Sequence, residues 1–175
     1  MLLVLVVGGA VALVLVEKPA LDDARDAVDT RWRALHDPLV ARYEQLDAAQ
    51  AALIAAGGGD RTVSKDLARA LTAWKKAIAN GDAGSQADAA NDLEAQGKRL
   101  AANVLVSPRL REVQALTSAI ADFNAAAPSQ PLIAAYNRAV RAYEDDRNDA
   151  LRKPVARVFG FDARPLLVIG STPPA

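Results

Sequence analysis

The feature that most constrains the fold is a long apolar seam in the first third of the chain. Two series of apolar residues each step by seven positions or a multiple of seven, and the two series lie four positions apart. Side chains at this spacing share one face of an α-helix, so the pattern predicts a long bundle helix. The first series is Leu21, Val28, Leu35 and Ala49, and the second is Trp32, Leu39, Leu46 and Leu53.

Two residues interrupt this seam, and a proline falls within the predicted helix. Arg25 and Arg42 fall on it, and we expect their aliphatic stems to lie along the seam with the charged ends in water. Pro38 lacks an N–H group and crowds the preceding turn, so we expect it to kink the helix near Asp37 or to split it there. The glycine run at 57–59 then ends the helix.

The rest of the chain also carries helical spacing and almost no strand signal. Turn and capping signals divide it into segments: a break at 80–82, a capping box at 85–88, a helix start at 107–108, a turn at 128–131 and a left-handed cap at Gly160. The apolar stripes between them are Leu67, Leu71, Trp74 and Ile78; Ala90, Leu93, Gly97, Leu100 and Val104; Leu110, Val113, Leu116, Ile120 and Phe123; and Leu132, Tyr136, Ala139, Val140 and Tyr143.

Short turns between long helices place neighbouring helices antiparallel. The predicted fold is therefore all-α, an elongated antiparallel bundle of about four long helices that follows an N-terminal transmembrane helix. We expect the last long helix to run from about Leu132 to about Lys153. The assigned segments are a transmembrane anchor at 1–18, a helical bundle at 19–161 and a partly disordered tail at 162–175, poorly ordered after about Ile169.

Residues 1–16 carry no charged or polar side chain, and Glu17 ends this apolar run. As a helix the run spans roughly 24 Å against about 30 Å of bilayer hydrocarbon, so it is about one turn short. We predict a membrane anchor, and a cleaved secretory signal and a buried core helix are the alternatives. A start assigned too far downstream would explain both the short run and the missing basic residues before it. Gly8 and Ala12 form a small-residue pair that would let two anchors pack, which leaves a homo-oligomer open.

Composition excludes several classes of function. The chain has 21 basic and 21 acidic residues, so no net field attracts nucleic acid. It has no cysteine and a single histidine, His36, so we expect no zinc-thiolate or other transition-metal site. No serine has a nucleophile motif, and the glycines at 57–59 lack the Lys-Ser/Thr of a phosphate loop. We therefore expect no enzymatic activity, no catalytic residue, no metal and no cofactor.

Two C-terminal motifs resemble a known family. Tyr136-Asn137 and Tyr143 lie on the last long helix, and residues 156–161 read Ala-Arg-Val-Phe-Gly-Phe. This pattern is similar to the Tyr-Asn repeat and the Ala-x-x-Phe-Gly-Phe ending of the LemA family. The second Tyr-Asn pair of the family is Tyr-Glu here, and its usual Phe-Pro before the ending is absent.

Two further stretches extend the resemblance toward the N-terminus. Val28 and Trp32 followed by Arg42-Tyr43 are similar to the Val-x-x-x-Trp and Arg-aromatic spacing of the LemA family's first long helix. The segment that begins at Pro108 is similar to its Pro-x-Leu helix start. With the apolar run in front, the resemblance covers the chain to about residue 161.

The resemblance implies a single-pass bacterial membrane protein with a long helical bundle and no generally assigned enzymatic activity. We interpret its motif residues as core packing or as a protein contact site: Trp32, Arg42, Tyr136, Asn137, Tyr143, Phe159, Gly160 and Phe161. The predicted function is an interaction or scaffold module at the bacterial cell membrane with a protein partner. The alternative is a ligand-binding or regulatory subunit of a neighbouring membrane enzyme such as a protease. Basic residues follow the apolar run and none precedes it, so the positive-inside rule places the bundle in the cytoplasm.

Overall fold

The fold of residues 2–170 is all-helical. A computed structural model describes the backbone of these residues, and their side chains from residue 16 onward. The α-helices are α1 (Leu2–Leu53), α2 (Thr62–Asn80), α3 (Ala83–Val106), α4 (Pro108–Arg111), α5 (Gln114–Ala125), α6 (Gln130–Asn148) and α7 (Arg152–Val158), with a π-helical turn at Ile54–Gly58. The described part of the chain contains no β-strand, and the prediction of an all-α bundle is confirmed.

Helix α1 is the long element against which the other helices pack. All eight seam residues are buried, which follows from their shared helical face. The helix continues through Pro19 and Pro38, so the alternative that Pro38 splits it is wrong. The packing of the seam offsets the hydrogen bond that each proline removes. Gly57, at φ 78°, takes the left-handed conformation that ends the helical path in the π-helical turn.

Helices α2 and α3 form a hairpin with a tight connection. Gly81 at φ 74° closes α2, and its N–H donates to the carbonyls of Ala77 and Ile78. Asp82 caps α3, because its carboxylate accepts the backbone N–H of Ser85 at 2.7 Å. The predicted capping box that began at Ser85 is wrong, since Asp82 stands three residues earlier in extended conformation and takes the capping position.

The fourth predicted helix is two helices. Pro108 begins α4 at its first helical position, as expected, but α4 ends after one turn and Val113 is extended. The prediction of one continuous helix from Leu110 to Phe123 is therefore wrong, whereas the predicted burial of Leu110, Leu116 and Phe123 is confirmed. Leu110 and Leu116 are six positions apart and would point about 120° apart on one helix, whereas the break lets both reach the core.

The last predicted helix is also divided. It ends at Asn148 rather than near Lys153, because Asp149 leaves the helical conformation and its carboxylate accepts the N–H of Leu151 at 2.9 Å. Pro154 then lies in the first turn of α7, where proline is tolerated. Gly160 at φ 66° ends α7 as a left-handed residue beyond the helix, as the sequence predicts.

The order of contacts along α1 gives the directions of the helices. Phe123, Tyr136 and Arg152 contact α1 at Arg42, Trp32 and Glu17 respectively, so α5, α6 and α7 follow α1 in the reverse direction. The α2–α3 hairpin packs along the second half of α1, where Trp32 donates to Gln86 and Tyr43 contacts Trp74 with ring centroids 4.9 Å apart. A four-helix cross-section therefore surrounds the second half of α1.

The predicted anchor lies almost wholly outside the residues whose side chains are described. Within the described part of the chain, no helix combines the length and the apolar character needed to cross a membrane. The expected disorder after Ile169 likewise concerns residues 171–175, which lie outside the described part of the chain.

Candidate functional site

Residues 162–170 form an extended segment that we call the C-terminal strap. It follows α7, turns back along α6 and contacts α3 as well. Leu167 and Ile169 of the strap are buried, as is Phe161 just before it. A segment without regular secondary structure is thus part of the hydrophobic core and needs partners for its backbone polar groups.

Two asparagine side chains supply partners for the middle of the strap. Asn137 on α6 donates to the carbonyl of Leu167 at 2.9 Å and accepts the N–H of the same residue at 2.8 Å. Asn91 on α3 donates to the carbonyl of Leu166 and accepts the N–H of Val168, both at 2.8 Å. Each side-chain amide thus gives the strap backbone one N–H donor and one C=O acceptor, as the backbone of a neighbouring β-strand would. We call Asn91 and Asn137 the amide clasp.

Two tyrosines of α6 hold the first half of the strap. The Tyr143 hydroxyl donates to the carbonyl of Asp162 at 2.8 Å, and the Tyr136 hydroxyl donates to that of Pro165 at 3.0 Å. Burial raises the pKa of both phenols, so each remains a neutral donor at ordinary pH. The Tyr136 ring also packs on Trp32, with centroids 5.2 Å apart.

Arg164 provides the electrostatic contact of the strap. Its guanidinium donates to Asp82 at 2.6 Å and lies 3.4 Å from Asp29, while its backbone N–H donates to Glu144 at 2.8 Å. Burial opposes ionisation of Asp82, but hydrogen bonds from the Ser85 N–H and from Arg164 outweigh it and lower the pKa of Asp82 to about 2. The strap is thereby tied to the start of α3.

The structure brings most of the predicted motif residues together at the strap. Tyr136, Asn137 and Tyr143 bind its backbone, and Trp32 packs on Tyr136 while donating to Gln86 at 2.7 Å. Gly160 directs the chain into the strap, and the N–H of Phe161 donates to the carbonyl of Ala156 at 2.9 Å to close α7. Phe159 is exposed and makes no contact with the strap backbone, and the ammonium of Lys18 lies near its ring and near that of Phe161.

Arg42 belongs to a second polar cluster inside the bundle. Its guanidinium forms a bidentate pair with Glu94 of α3, at 2.7 and 3.0 Å, and also donates to the carbonyl of Phe123. Both side chains are only 2% exposed. The expectation that the charge of Arg42 would lie in water is wrong, because a buried acid on the facing helix compensates it.

Aromatic residues complete this cluster. The Tyr43 hydroxyl lies 3.2 Å from Glu94 and from the carbonyl of Ala90, and burial raises its pKa. The Phe123 ring lies 3.7 Å from the Arg42 guanidinium. Gly97 makes room for that ring, since a Cβ there would lie 2.8 Å from its edge. We call Arg42, Tyr43, Glu94 and Phe123 the core ion cluster.

Sequence reasoning missed four residues that make these contacts: Gln86, Asn91, Glu94 and Arg164. Glu94 carried a signal, because it is four positions after Ala90 on the apolar face of α3 while Arg42 lies on the apolar face of α1. Two opposite charges on facing seams predict a buried pair. Asn91 and Arg164 carried no such sequence signal, because an extended strap that is held by side chains leaves no periodic pattern in the sequence.

Several grooves on the surface of the described residues are open to solvent. The described residues contain no group of His, Asp or Glu that could hold a metal ion. A groove of about 430 Å³ beside α7 is lined by Arg147, Lys153 and Arg157, and another of about 350 Å³ lies between Arg25 and Arg164. Both are lined largely by charged groups, whereas small-molecule sites are usually concave and mostly apolar.

Comparison with known proteins gives no relative for this chain: no family model, curated protein or solved structure matches it. The LemA resemblance thus depends on the motifs alone and stays a prediction. The geometry gives those motifs a physical role, because Tyr136, Asn137 and Tyr143 all bind the strap backbone.

Proposed function

We propose that this chain is a LemA-like, single-pass protein of the bacterial cell membrane that acts as a non-enzymatic interaction or scaffold module. The proposal includes the anchor at residues 1–18, a bundle on the cytoplasmic side and a protein partner. The observation that carries it is the use of the motif side chains. Tyr136, Asn137 and Tyr143 hold the chain's own strap, so their polar groups support a solid bundle rather than a reaction.

A scaffold needs rigidity along its length, and two sets of side-chain contacts between the helices support it here. The core ion cluster fixes α1 against α3 and α5 by contacts that require one relative position of the helices. The strap fixes α6 against the start of α3. Rigid presentation of a surface lowers the ordering cost of binding a partner.

The continuity of α1 supports an elongated molecule that stands away from the membrane. The helix continues without a break from the apolar run to Leu53. From Val16 to Leu53 it spans about 55 Å at 1.5 Å per residue. About four long helices make up the bundle around α1. In this arrangement, the end of the bundle near Leu53 is the surface farthest from the membrane.

That far end has the composition expected of a protein contact. Ile54, Leu105 and Val106 are exposed large apolar residues at the C-terminal ends of α1 and α3. Arg109 donates to the carbonyl of Ala56 at 3.4 Å and ties the two helix ends together. We call Ile54, Leu105 and Val106 the distal tip. Apolar groups gathered at one exposed end favour a protein partner over an open, charged ligand groove.

Photocrosslinking in intact membranes tests this function. A benzoylphenylalanine is placed at Val106 in the full-length chain, and the matched control carries it at Glu44, an exposed position on α1 outside the distal tip. We expect a discrete crosslinked product from Val106 and none from Glu44. Equal labelling from both positions, or no product from either, would contradict the scaffold proposal. A product that disappears when a soluble metabolite pool is removed would favour a ligand-regulated subunit.

A further inference from the structure

Helix α7 has two unlike faces. Val155 and Ala156 are buried against the bundle. Val158, the last residue of α7, is 77% exposed, and Leu151, the residue just before α7, is 60% exposed. Phe159 follows α7 directly and is also exposed, with the ammonium of Lys18 near its ring. Large apolar side chains are thus exposed at both ends of this short helix.

A basic strip lies between these exposed apolar side chains. Lys153 and Arg157 are four positions apart, so they share a side of α7 adjacent to Val158. Both are exposed, and neither forms an ion pair with a described residue.

Most other charged side chains around α7 have partners. Arg152 pairs with Glu17 and Asp146, and Arg147 pairs with Glu144. The carboxylate of Asp149 accepts the N–H of Leu151. Asp162 is the acid that lines the same groove.

Both ends of α7 reach the first turn of α1 after the apolar run. Arg152 at its start donates to Glu17 at 2.8 Å. At its end, the ammonium of Lys18 lies 5.7 Å from the centroid of the Phe159 ring. Helix α7 therefore lies across α1 at the level where the apolar sequence ends.

We infer that the outward face of α7, made of Leu151, Lys153, Arg157, Val158 and Phe159, is a membrane-interface surface that lies on anionic lipid headgroups. This inference rests on the proposed anchor, because it uses the same bilayer. In an amphipathic segment of this kind, the exposed apolar groups insert at the headgroup boundary of the bilayer. The neighbouring Lys and Arg side chains then lie against the lipid phosphates. The surface would fix the tilt of the bundle at its base.

Two observations select a bilayer over a protein as the occupant. The strip is continuous with the end of the apolar run through Glu17 and Lys18, so a membrane-inserted run brings headgroups to it. The groove beside the strip is lined by three basic residues, Arg147, Lys153 and Arg157, and by one acid, Asp162, so its charge complements anionic lipid.

Single-cysteine labelling tests the inference, because the natural chain contains no cysteine. Three full-length variants, Val158→Cys, Leu105→Cys and Leu5→Cys, carry an environment-sensitive fluorophore. They are reconstituted in vesicles of phosphatidylcholine with phosphatidylglycerol and in vesicles of phosphatidylcholine alone. Leu105 in the distal tip is the water-exposed control, and Leu5 reports on the anchor.

The expected result is a blue-shifted emission and loss of most iodide quenching at position 158 in the anionic vesicles, with full quenching at position 105. In phosphatidylcholine alone the shift at 158 should be smaller. The change Lys153→Gln with Arg157→Gln should reduce the anionic shift to the neutral-lipid level.

Other outcomes overturn one proposal at a time. If the label at 5 is in lipid but the label at 158 is quenched as strongly as the label at 105, the interface inference fails and the anchor stands. If the label at 5 is itself quenched from water, the anchor and the proposed function that contains it fail. Close-range dipolar coupling between spin labels at 158 on two copies would assign this face to a second copy and overturn the lipid inference.

Discussion

The core ion cluster and the C-terminal strap use the same chemistry in opposite surroundings. Arg42 and Glu94 are both 2% exposed and join two helices in the middle of the bundle. Arg164 and Asp82 also form a salt bridge, but Asp82 is 48% exposed and the bridge joins a helix to an extended tail. The first pair is dehydrated on every side, while the second remains open to solvent on one side.

This difference predicts how each region responds to change. A buried charge that loses its partner has no water to replace it, so the cost of separation is high. Groups at the strap can regain water when they separate, so the strap can detach locally at lower cost. The core ion cluster therefore fixes the arrangement of helices, and the strap closes one side of the bundle.

The largest effect should come from breaking the buried pair on one side only. We expect Glu94→Ala to lower the free energy of unfolding by about 3–5 kcal/mol, because Arg42 would be left buried without a counter-ion. Urea denaturation checks this value. The double change Arg42→Met with Glu94→Met should recover most of the loss, and the exposed-pair control Arg99→Ala should cost at most about 1 kcal/mol. A double variant no more stable than the single one would contradict the account.

A smaller effect should follow from filling the space beside the cluster. In Gly97→Ala the new Cβ would lie 2.8 Å from the Phe123 ring edge, and the ring would have to move off the guanidinium of Arg42. We expect a loss of about 1–3 kcal/mol in unfolding free energy. Gly59→Ala is the matched control, since Gly59 has helical angles and a Cβ there contacts nothing closer than 3.7 Å. Equal stability of the two variants would show that the Gly97 contact is not tight.

Breaking one half of the amide clasp should lower the free energy of unfolding by a smaller amount, and its effect should be confined to the strap. Asn137→Ala removes both hydrogen bonds to Leu167, and we expect a loss of about 1–2 kcal/mol. Hydrogen exchange should quicken in the strap amides but not in α1. Asn148→Ala, which removes only hydrogen bonds within the exposed end of α6, serves as the comparison. Uniform acceleration across the bundle would mean that the strap does not open independently.

The smallest effect is a dependence of stability on pH at the strap. In the folded chain the pKa of Asp82 is lowered to about 2, below its ordinary value of 3.8. A lowered carboxylate pKa stabilises the fold above the unfolded pKa, and this contribution is lost as pH falls from about 4 toward 2. Because Asp82 is half-exposed, we expect a loss of at most about 1 kcal/mol. Comparing wild type with Asp82→Asn across this range isolates the contribution of this carboxylate, and parallel curves would contradict the lowered pKa of Asp82.

The sequence predicts the surroundings of the core ion cluster better than it predicts the C-terminal strap. The heptad spacing correctly identified all eight buried seam residues of α1, because helix burial follows a fixed period. The same spacing placed Arg42 on that seam, but it did not identify Glu94 on α3 as the partner of Arg42. The α6 break at Asp149 was missed because an aspartate bonding to the backbone two residues on leaves no periodic trace.

The motif at the site was recognisable from sequence, but its role was not. Tyr136 and Tyr143 were expected on one helix face, and that spacing says nothing of what their hydroxyls bind. Their acceptors are carbonyls of the strap, 19 to 29 positions away. An extended segment held by side-chain amides and hydroxyls has neither helical nor strand periodicity, so only the three-dimensional arrangement reveals it.

The unfolding free energy of three chain lengths tests most directly whether the strap is an integral layer of this bundle. The full chain is compared with one that ends at Gly170 and one that ends at Phe161. The chain ending at Gly170 should be as stable as the full chain. The chain ending at Phe161 should lose roughly 3 kcal/mol, since it uncovers the core where Leu167 and Ile169 pack. Equal stability of all three would contradict the account.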